Sequence, residues 1–205
     1  AGGLERPVLM LTLAPERPGA DAVLAWAARR GAVAAIGHSR AGPEDLARAV
    51  AAGARLSTHL GNAQPTPAHK FDNPLMAQLA EDGLWASFIA DGIHVPPAAL
   101  KVMLRAKGLA RSILVTDATA AADAPPGTYG FAGMAIERSA DGRVQAPGTD
   151  VLAGSALRLD DAVRNIAAWG LADEAEARAM ASARPLALLA PAFAAHGIPR
   201  PAGVG

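Results

Sequence analysis

Short apolar runs alternate with amphipathic stretches of about ten residues along the first half of the chain. "VLMLTL" (Val8 to Leu13) has the continuous apolar character of a buried strand, and "ADAVLAWAARR" (Ala20 to Arg30) has helical spacing. Gly31 follows that helix, where a glycine readily takes the left-handed C-terminal position. "AVAAIG" reads as a second strand. Pro43 then opens the helix "PEDLARAVAA", where its missing N–H costs nothing, and Gly53 stops it. "ARLSTH" and "LWASFIA" (Leu84 to Ala90) are the third and fourth strands. The helix "PAALKVMLRAK" ends at Gly108, and "SILVTD" (Ser112 to Asp117) is the fifth strand.

Apolar strands separated by helices predict a parallel sheet covered on both faces. A doubly wound open sheet and a (β/α)8 barrel both fit. The chain has no G-x-G-x-x-G and no G-x-x-x-x-G-K-[ST], which removes the usual nucleotide-binding reasons for the open sheet. Polar residues instead collect where successive strands end: Glu16, His38, His59, Asp91 with His94, and Asp117. In a barrel those ends converge on one face, where active sites lie. The expected fold class is therefore α/β, a partial (β/α)8 TIM-like barrel with part of a small β-domain and C-terminal helices. Residues 8–118 would form the C-terminal half of the barrel. Complete barrels need about 250 residues, so an N-terminal portion is expected to be missing from the sequence.

After Asp117 glycine and proline become frequent. Strand-like pieces at Thr128 to Phe131 and Met134 to Arg138 place a β-hairpin and loop segment over 119–152. An Asp141-Gly142 turn joins Met134–Arg138 to Arg143–Gln145. Helices at about Ala156 to Trp169 and Ala172 to Ser182 fill 153–190 and should pack on the barrel. The Ala/Pro/Gly-rich tail from Pro191, which contains His196, is expected to trail off.

Composition narrows the function classes. Nineteen basic residues balance nineteen acidic ones with no long run of either sign, which argues against a nucleic-acid or anionic-membrane surface. Cysteine is absent, so disulfides and thiolate metal sites are excluded. "PVLMLTLA" is too short to span a bilayer and lacks a basic flank. A soluble, cytoplasmic protein is the expectation.

Three of the five histidines sit where an apolar run gives way to a loop, in "AAIGHS", "LSTHLGNA" and "FIADGIHV". Imidazole binds a divalent metal through one ring nitrogen while the other is held by a neighbouring acceptor. His38 and His59, from adjacent strand ends, could share one ion. Asp117 could take a proton from a metal-activated water and return it to a leaving group. His94 could hydrogen-bond a substrate oxygen, and Asn62 could offer its amide. Blander roles compete: strand-end histidines often bond loops, and Asp91 before Gly92 suits a turn. Glu16 could be a ligand or merely cap the loop before the Ala20 helix, and the structural role is favoured. Asp160, Asp161 and Arg164 suit a solvated helix face. Trp85 and Trp169 suit packing.

The motifs "LAPE", "IGHS", "THLGNA", "IADGIHV", "VTDA" and "LAGSALRLDDAVRN" occur in one order between about Leu11 and Pro185. In that order they resemble the N-acetylglucosamine-6-phosphate deacetylases of the amidohydrolase superfamily. The resemblance implies a metal-dependent amide hydrolase on a (β/α)8 barrel, acting on a small N-acetylated amino sugar and forming a homodimer. It implies a divalent metal, zinc with iron, cobalt or nickel as alternatives, held by His38 and His59. Asp117 would be the catalytic aspartate, His94 a substrate-binding histidine, and Asn62 and Ala63 contacts to the sugar phosphate.

Three features depart from the family pattern. No "HLEGP"-type motif, which carries the family's glutamate ligand, is present. Gly61 and Gln64 stand where the family has an aromatic residue and methionine. "PAHKFDNPLMAQ" replaces the segment with the phosphate-binding arginine. Lys70 could supply a point charge there, but not a bidentate contact. Another N-acyl sugar, a cyclic amide or deaminase substrate, and a catalytically incomplete fragment remain the competing readings.

Overall fold

The computed structural model describes residues 6–201. Five strands, β1 (Met10–Leu13), β2 (Val33–Ile36), β3 (Ala54–Ser57), β4 (Trp85–Ile89) and β5 (Ser112–Val115), form one parallel sheet in the order β1-β2-β3-β4-β5. Helices α1 (Ala20–Arg30), α2 (Pro43–Ala51), α3 (Pro74–Ala80) and α4 (Pro97–Lys107) make the crossovers. Each strand is added beside its predecessor, so the order never reverses as it does in a doubly wound sheet. All five C-terminal strand ends therefore lie along one edge.

Strand alternation divides the core. Ala34 and Ile36 of β2 pack with Leu24 and Ala27 of α1 and Leu46 and Ala49 of α2. Phe88 of β4 and Leu114 of β5 pack with Leu100, Met103 and Leu104 of α4. The opposite face, built on Val33, Ala35, Leu56 and Ile113, is covered by a helix from the C-terminal region.

A second, antiparallel sheet follows: β6 (Gly127–Phe131), β7 (Met134–Arg138) and β8 (Val144–Gln145). Ala132 and Gly133 join β6 to β7, both with positive φ (49° and 79°), which matches the twist of a tight two-residue hairpin turn. The Asp141-Gly142 turn joins β7 to β8, where the sequence places it. After β8 the chain returns to the first sheet: Leu152 bridges Gln145, and Ser155 bridges Ala118 in parallel just beyond β5. Helices α5 (Leu159–Ala168), α6 (Glu174–Ala181) and α7 (Ala183–Ala195) close the chain. Asp173 caps α6 by accepting the Glu176 N–H at 2.8 Å.

Two stretches differ from expectation. The tail does not trail off at Pro191: α7 runs through it and buries Leu188, Ala192 and Phe193. Burial against the strand face outweighs the hydrogen bond that proline removes. His196 is half-buried rather than exposed, and its Nε2 is buried without a partner among the described residues. Gly31 is required twice here. Its φ of 66° suits the α1 terminus, and a Cβ on it would lie 2.3 Å from that of Ala195.

The second difference is α3, which periodicity over seven residues cannot reveal. The local signal is Asn73-Pro74: the Asn73 side chain accepts the Met76 N–H at 2.9 Å, and proline takes the first helical position. The far end of α3 is held by Lys107. That ammonium is buried and donates to Gln78 O at 2.8 Å and Glu81 O at 2.9 Å, the free carbonyls of the last turn. Burial, opposed by Asp82 and Glu81, pushes Lys107 down to about 8.

Replacing Lys107 with methionine is expected to cost about 2–4 kcal/mol in urea unfolding at pH 7, because two carbonyls lose a charged donor. The pH dependence has a definite sign. Between pH 8 and 10.5 the native lysine releases its proton while the unfolded one keeps it, so unfolding takes up protons and stability rises with pH. The margin of wild type over K107M should therefore widen across that window.

Candidate active site

His38, His59 and Asp117 each stand two residues past the last residue of their strand, after Ile36, Ser57 and Val115 respectively. All three have positive φ: 52°, 32° and 54°. The left-handed region costs a non-glycine residue roughly 1–2 kcal/mol, and such strain concentrates at functional sites. Ala63, at 51°, adds a fourth such residue beside them.

The surrounding backbone leaves these turns little freedom. Gly37, immediately before His38, faces Thr12: a Cβ there would lie 2.6 Å from Thr12 Cγ2. The His59 N–H donates to Ser87 Oγ on β4 at 2.8 Å. Asp117 is gripped from the returning chain, since the Ser155 N–H donates to Asp117 O at 2.8 Å and Ser155 Oγ donates to Thr116 O. Gly154 must be glycine for this grip. Its φ is 78°, and a Cβ would come within 2.4 Å of Thr119 Cγ2 and 2.9 Å of Asp117 O.

The two imidazoles meet with their Nε2 atoms 3.2 Å apart and their planes inclined at 65°. Two nitrogen ligands on a tetrahedral zinc at about 2.0–2.1 Å would be separated by about 3.3 Å. The pair therefore fits two positions of one coordination shell. His59 is buried, and that burial lowers its pKa below the ordinary histidine value although Asp117 opposes the shift. It is consequently neutral at pH 7, the form that donates a lone pair. Its Nδ1 is buried without a partner among the described residues. Among the described residues no group of three or more His, Cys, Asp or Glu side chains is arranged to hold a metal ion. The two histidines thus supply part of a shell.

His94 comes from the loop after β4. Asp91 accepts the Ile93 and His94 N–H groups on Oδ1, at 2.8 and 2.9 Å, and its Oδ2 lies 2.6 Å from His94 Nδ1. Burial favours protonating Asp91, but the hydrogen bonds from His94 outweigh it and hold the carboxyl below its usual value. Asp91 is thus both the turn residue that the sequence suggests and the group that orients the His94 ring. Helix α5 supports this loop. Asn165 donates to Ala90 O at 2.8 Å, and Trp169 packs beneath Gly92, consistent with its packing role.

Glu16 takes a structural role, on the loop after His38 rather than the one before α1. Its carboxylate accepts Ser39 Oγ at 2.7 Å and the Arg40 N–H at 2.8 Å, fixing the loop that follows His38. Gly19, with no side-chain cap, begins α1.

His38, His59, His94, Asp117, Asn62 and Ala63 line one cavity of about 550 Å³. Asn62 Nδ2 is committed to His59 O at 3.0 Å. The structure does not bring Lys70 to this cavity. It is exposed, with its ammonium 5.5 Å from the centre of the Phe71 ring. A second opening, lined by Thr12, Arg17 and Thr58, reaches the same His38–His59–Asp117 group from the β1 side. Asp91, Ser87, Gly154 and Ser155 were not singled out from sequence for their supporting roles. Asp91 carried a signal as a turn residue before Gly92, and Gly154 and Ser155 carried one within the "LAGS" segment; Ser87 carried none.

No protein-family model matches the chain. Curated relatives do. An N-acetylglucosamine-6-phosphate deacetylase of Lysinibacillus sphaericus is 37% identical over 160 residues, 78% of this chain and 41% of that protein. An N-acetylgalactosamine-6-phosphate deacetylase of Escherichia coli O157:H7 is 33% identical over 180 residues, 88% of this chain and 47% of that one. A Mycobacterium smegmatis N-acetyl-D-glucosamine-6-phosphate deacetylase, solved as an Asp-to-Ala mutant with N-acetyl-D-glucosamine-6-phosphate, superposes with a TM-score of 0.77. It is 31% identical and covers 94% of this chain and 50% of its own. This chain is a relative of the N-acetylglucosamine-6-phosphate deacetylases. It spans less than half the length of the two curated deacetylases it matches here. Among its described residues, no helix is long and apolar enough to cross a membrane.

Proposed function

We propose that this chain carries the metal-binding and catalytic strand ends of a metal-dependent amide hydrolase that removes the acetyl group from an N-acetylated amino sugar. N-acetylglucosamine-6-phosphate is the first candidate, and its galactosamine epimer the second, since a relative named for the latter matches almost as well. The observation that carries the proposal is the convergence of His38, His59, Asp117 and His94 on one cavity. Residues 8–118 are read as part of a (β/α)8 barrel, 119–152 as a β-hairpin segment and 153–190 as terminal helices. The unreversed strand order supports that reading. The whole protein is read as a cytoplasmic homodimer.

His38 and His59 would hold a divalent cation, with zinc the best match to neutral imidazoles. When bound, that cation supplies Lewis-acid charge that polarises the amide carbonyl and acidifies water. The Asp117 carboxylate takes a proton from the attacking water as oxygen bonds to the carbonyl carbon. It returns that proton to nitrogen as the C–N bond breaks, leaving acetate and the free amino sugar. His94, its Nδ1 held by Asp91, keeps Nε2 for a substrate oxygen. Asn62 and Ala63 are assigned to the sugar and its phosphate.

The test is a substrate panel with zinc in the medium: N-acetylglucosamine-6-phosphate, its galactosamine epimer, unphosphorylated N-acetylglucosamine and a cyclic amide. Acetate and primary amine in equal amounts from an N-acetyl sugar are expected. Turnover of the cyclic amide alone would sink the proposal.

A further inference from the structure

The cavity above His38, His59 and Asp117 is chemically mixed. Its lining offers hydrogen-bonding groups from Asn62, Gln64, Thr66 and His94, and apolar surface from Phe131, Met134, Val151 and Leu152. Three of these apolar side chains remain wet, at 40%, 60% and 66% exposure for Phe131, Met134 and Val151. Large apolar groups gathered at the mouth of a cavity mark a surface that something else covers.

The fold presents them deliberately. Phe131 and Met134 are paired residues flanking the Ala132-Gly133 turn, so both stand at the tip of the hairpin. Val151 lines the same cavity; its carbonyl accepts the Ala146 N–H just before the chain turns to grip Asp117. Beneath the tip, Ile136, Val144 and Ala121 anchor the hairpin as a small core of its own. The apolar wall is therefore built on the same backbone that positions Asp117.

The substrate class follows from the chemistry of an amide, and the inference rests on the proposed hydrolysis. An amide placed at Asp117 has two substituents, a polar sugar on nitrogen and an acyl chain on carbon. The polar groups suit the sugar, which leaves the apolar surface for the acyl chain. We propose that Phe131, Met134 and Val151 form an acyl-binding wall, so that N-acyl amino sugars with chains longer than acetyl bind more tightly. A cavity of about 550 Å³ gives such chains room.

Methionine methyl and backbone amide NMR of the full chain tests this with N-acetyl-, N-propionyl- and N-butyryl-glucosamine-6-phosphate. The Met134 methyl should shift on binding while those of Met10 and Met76, exposed but outside this cavity, stay still. Affinity should rise about two- to fourfold per added methylene. Phe131→Ser should flatten that rise with chain length. Shifts at Asn62 and His94 with a still Met134 and no dependence on chain length would overturn the wall alone. No shift with any of the three compounds would overturn both the wall and the proposed hydrolysis.

Discussion

Replacing Asp117 with asparagine is expected to lower kcat for acetate release by about 10²–10⁴-fold, the contribution usual for a positioned proton-transfer group. KM should change little, because the side chain keeps its shape and its place in the cavity. The fold should tolerate the change unusually well. Asparagine accepts a left-handed backbone as readily as aspartate does, and the grip on this residue uses its carbonyl oxygen, which the substitution leaves intact. A small shift in melting temperature beside a large fall in kcat separates loss of a base from loss of structure. A secondary effect follows at His59, whose protonated form Asp117 favours. Without that charge, the His59 pKa should fall further below the ordinary histidine value.

His59→Ala is expected to weaken zinc binding by more than about 100-fold. Loss of a group that merely orients a metal ligand costs 10–100-fold, and loss of a ligand costs more. Equilibrium dialysis against zinc at fixed pH checks this. Acid stability offers an independent reading. The native pKa of His59 is lowered, so below the unfolded value of about 6.5 unfolding takes up a proton that the folded state resists. The stability of the wild type should therefore decline as pH drops through 6.5 towards the native pKa. The sign is opposite to that of a histidine held by a carboxylate. His59→Ala should lack this part of the decline, measured by urea unfolding at pH 7.5 and 5.

These effects were legible in the sequence to unequal degrees. The strands and the helices α1, α2 and α4 were readable because glycine and proline mark their ends and apolar runs fill the strands. So were the histidines, since a titratable ring at the end of an apolar run is conspicuous. Seven-residue α3 was not, because its evidence is a single Asn-Pro cap and a lysine twenty-six residues beyond its last turn. The passage of α7 through Pro191 depends on a tertiary surface formed by Val33, Ala35 and Ile113, which no local window contains. The left-handed turns at His38, His59 and Asp117 had no sequence signal either. They are held by Ser87, Ser155 and the side-chain-free Gly154 from other parts of the chain, and by the close approach of Gly37 to Thr12. Asp91 shows a subtler limit. Its place before glycine correctly suggests a turn, while its second oxygen, bonded to His94, was invisible until the ring was placed.

The most direct measurement is a zinc titration of the purified chain at pH 7, followed by the imidazole nitrogen resonances of its five histidines. If one ion is shared between strand ends, His38 and His59 should respond together and saturate at one equivalent, and His38 should lose its response in His59→Ala. Independent responses from the two, or a first response from His69 or His196, would contradict a shared metal site.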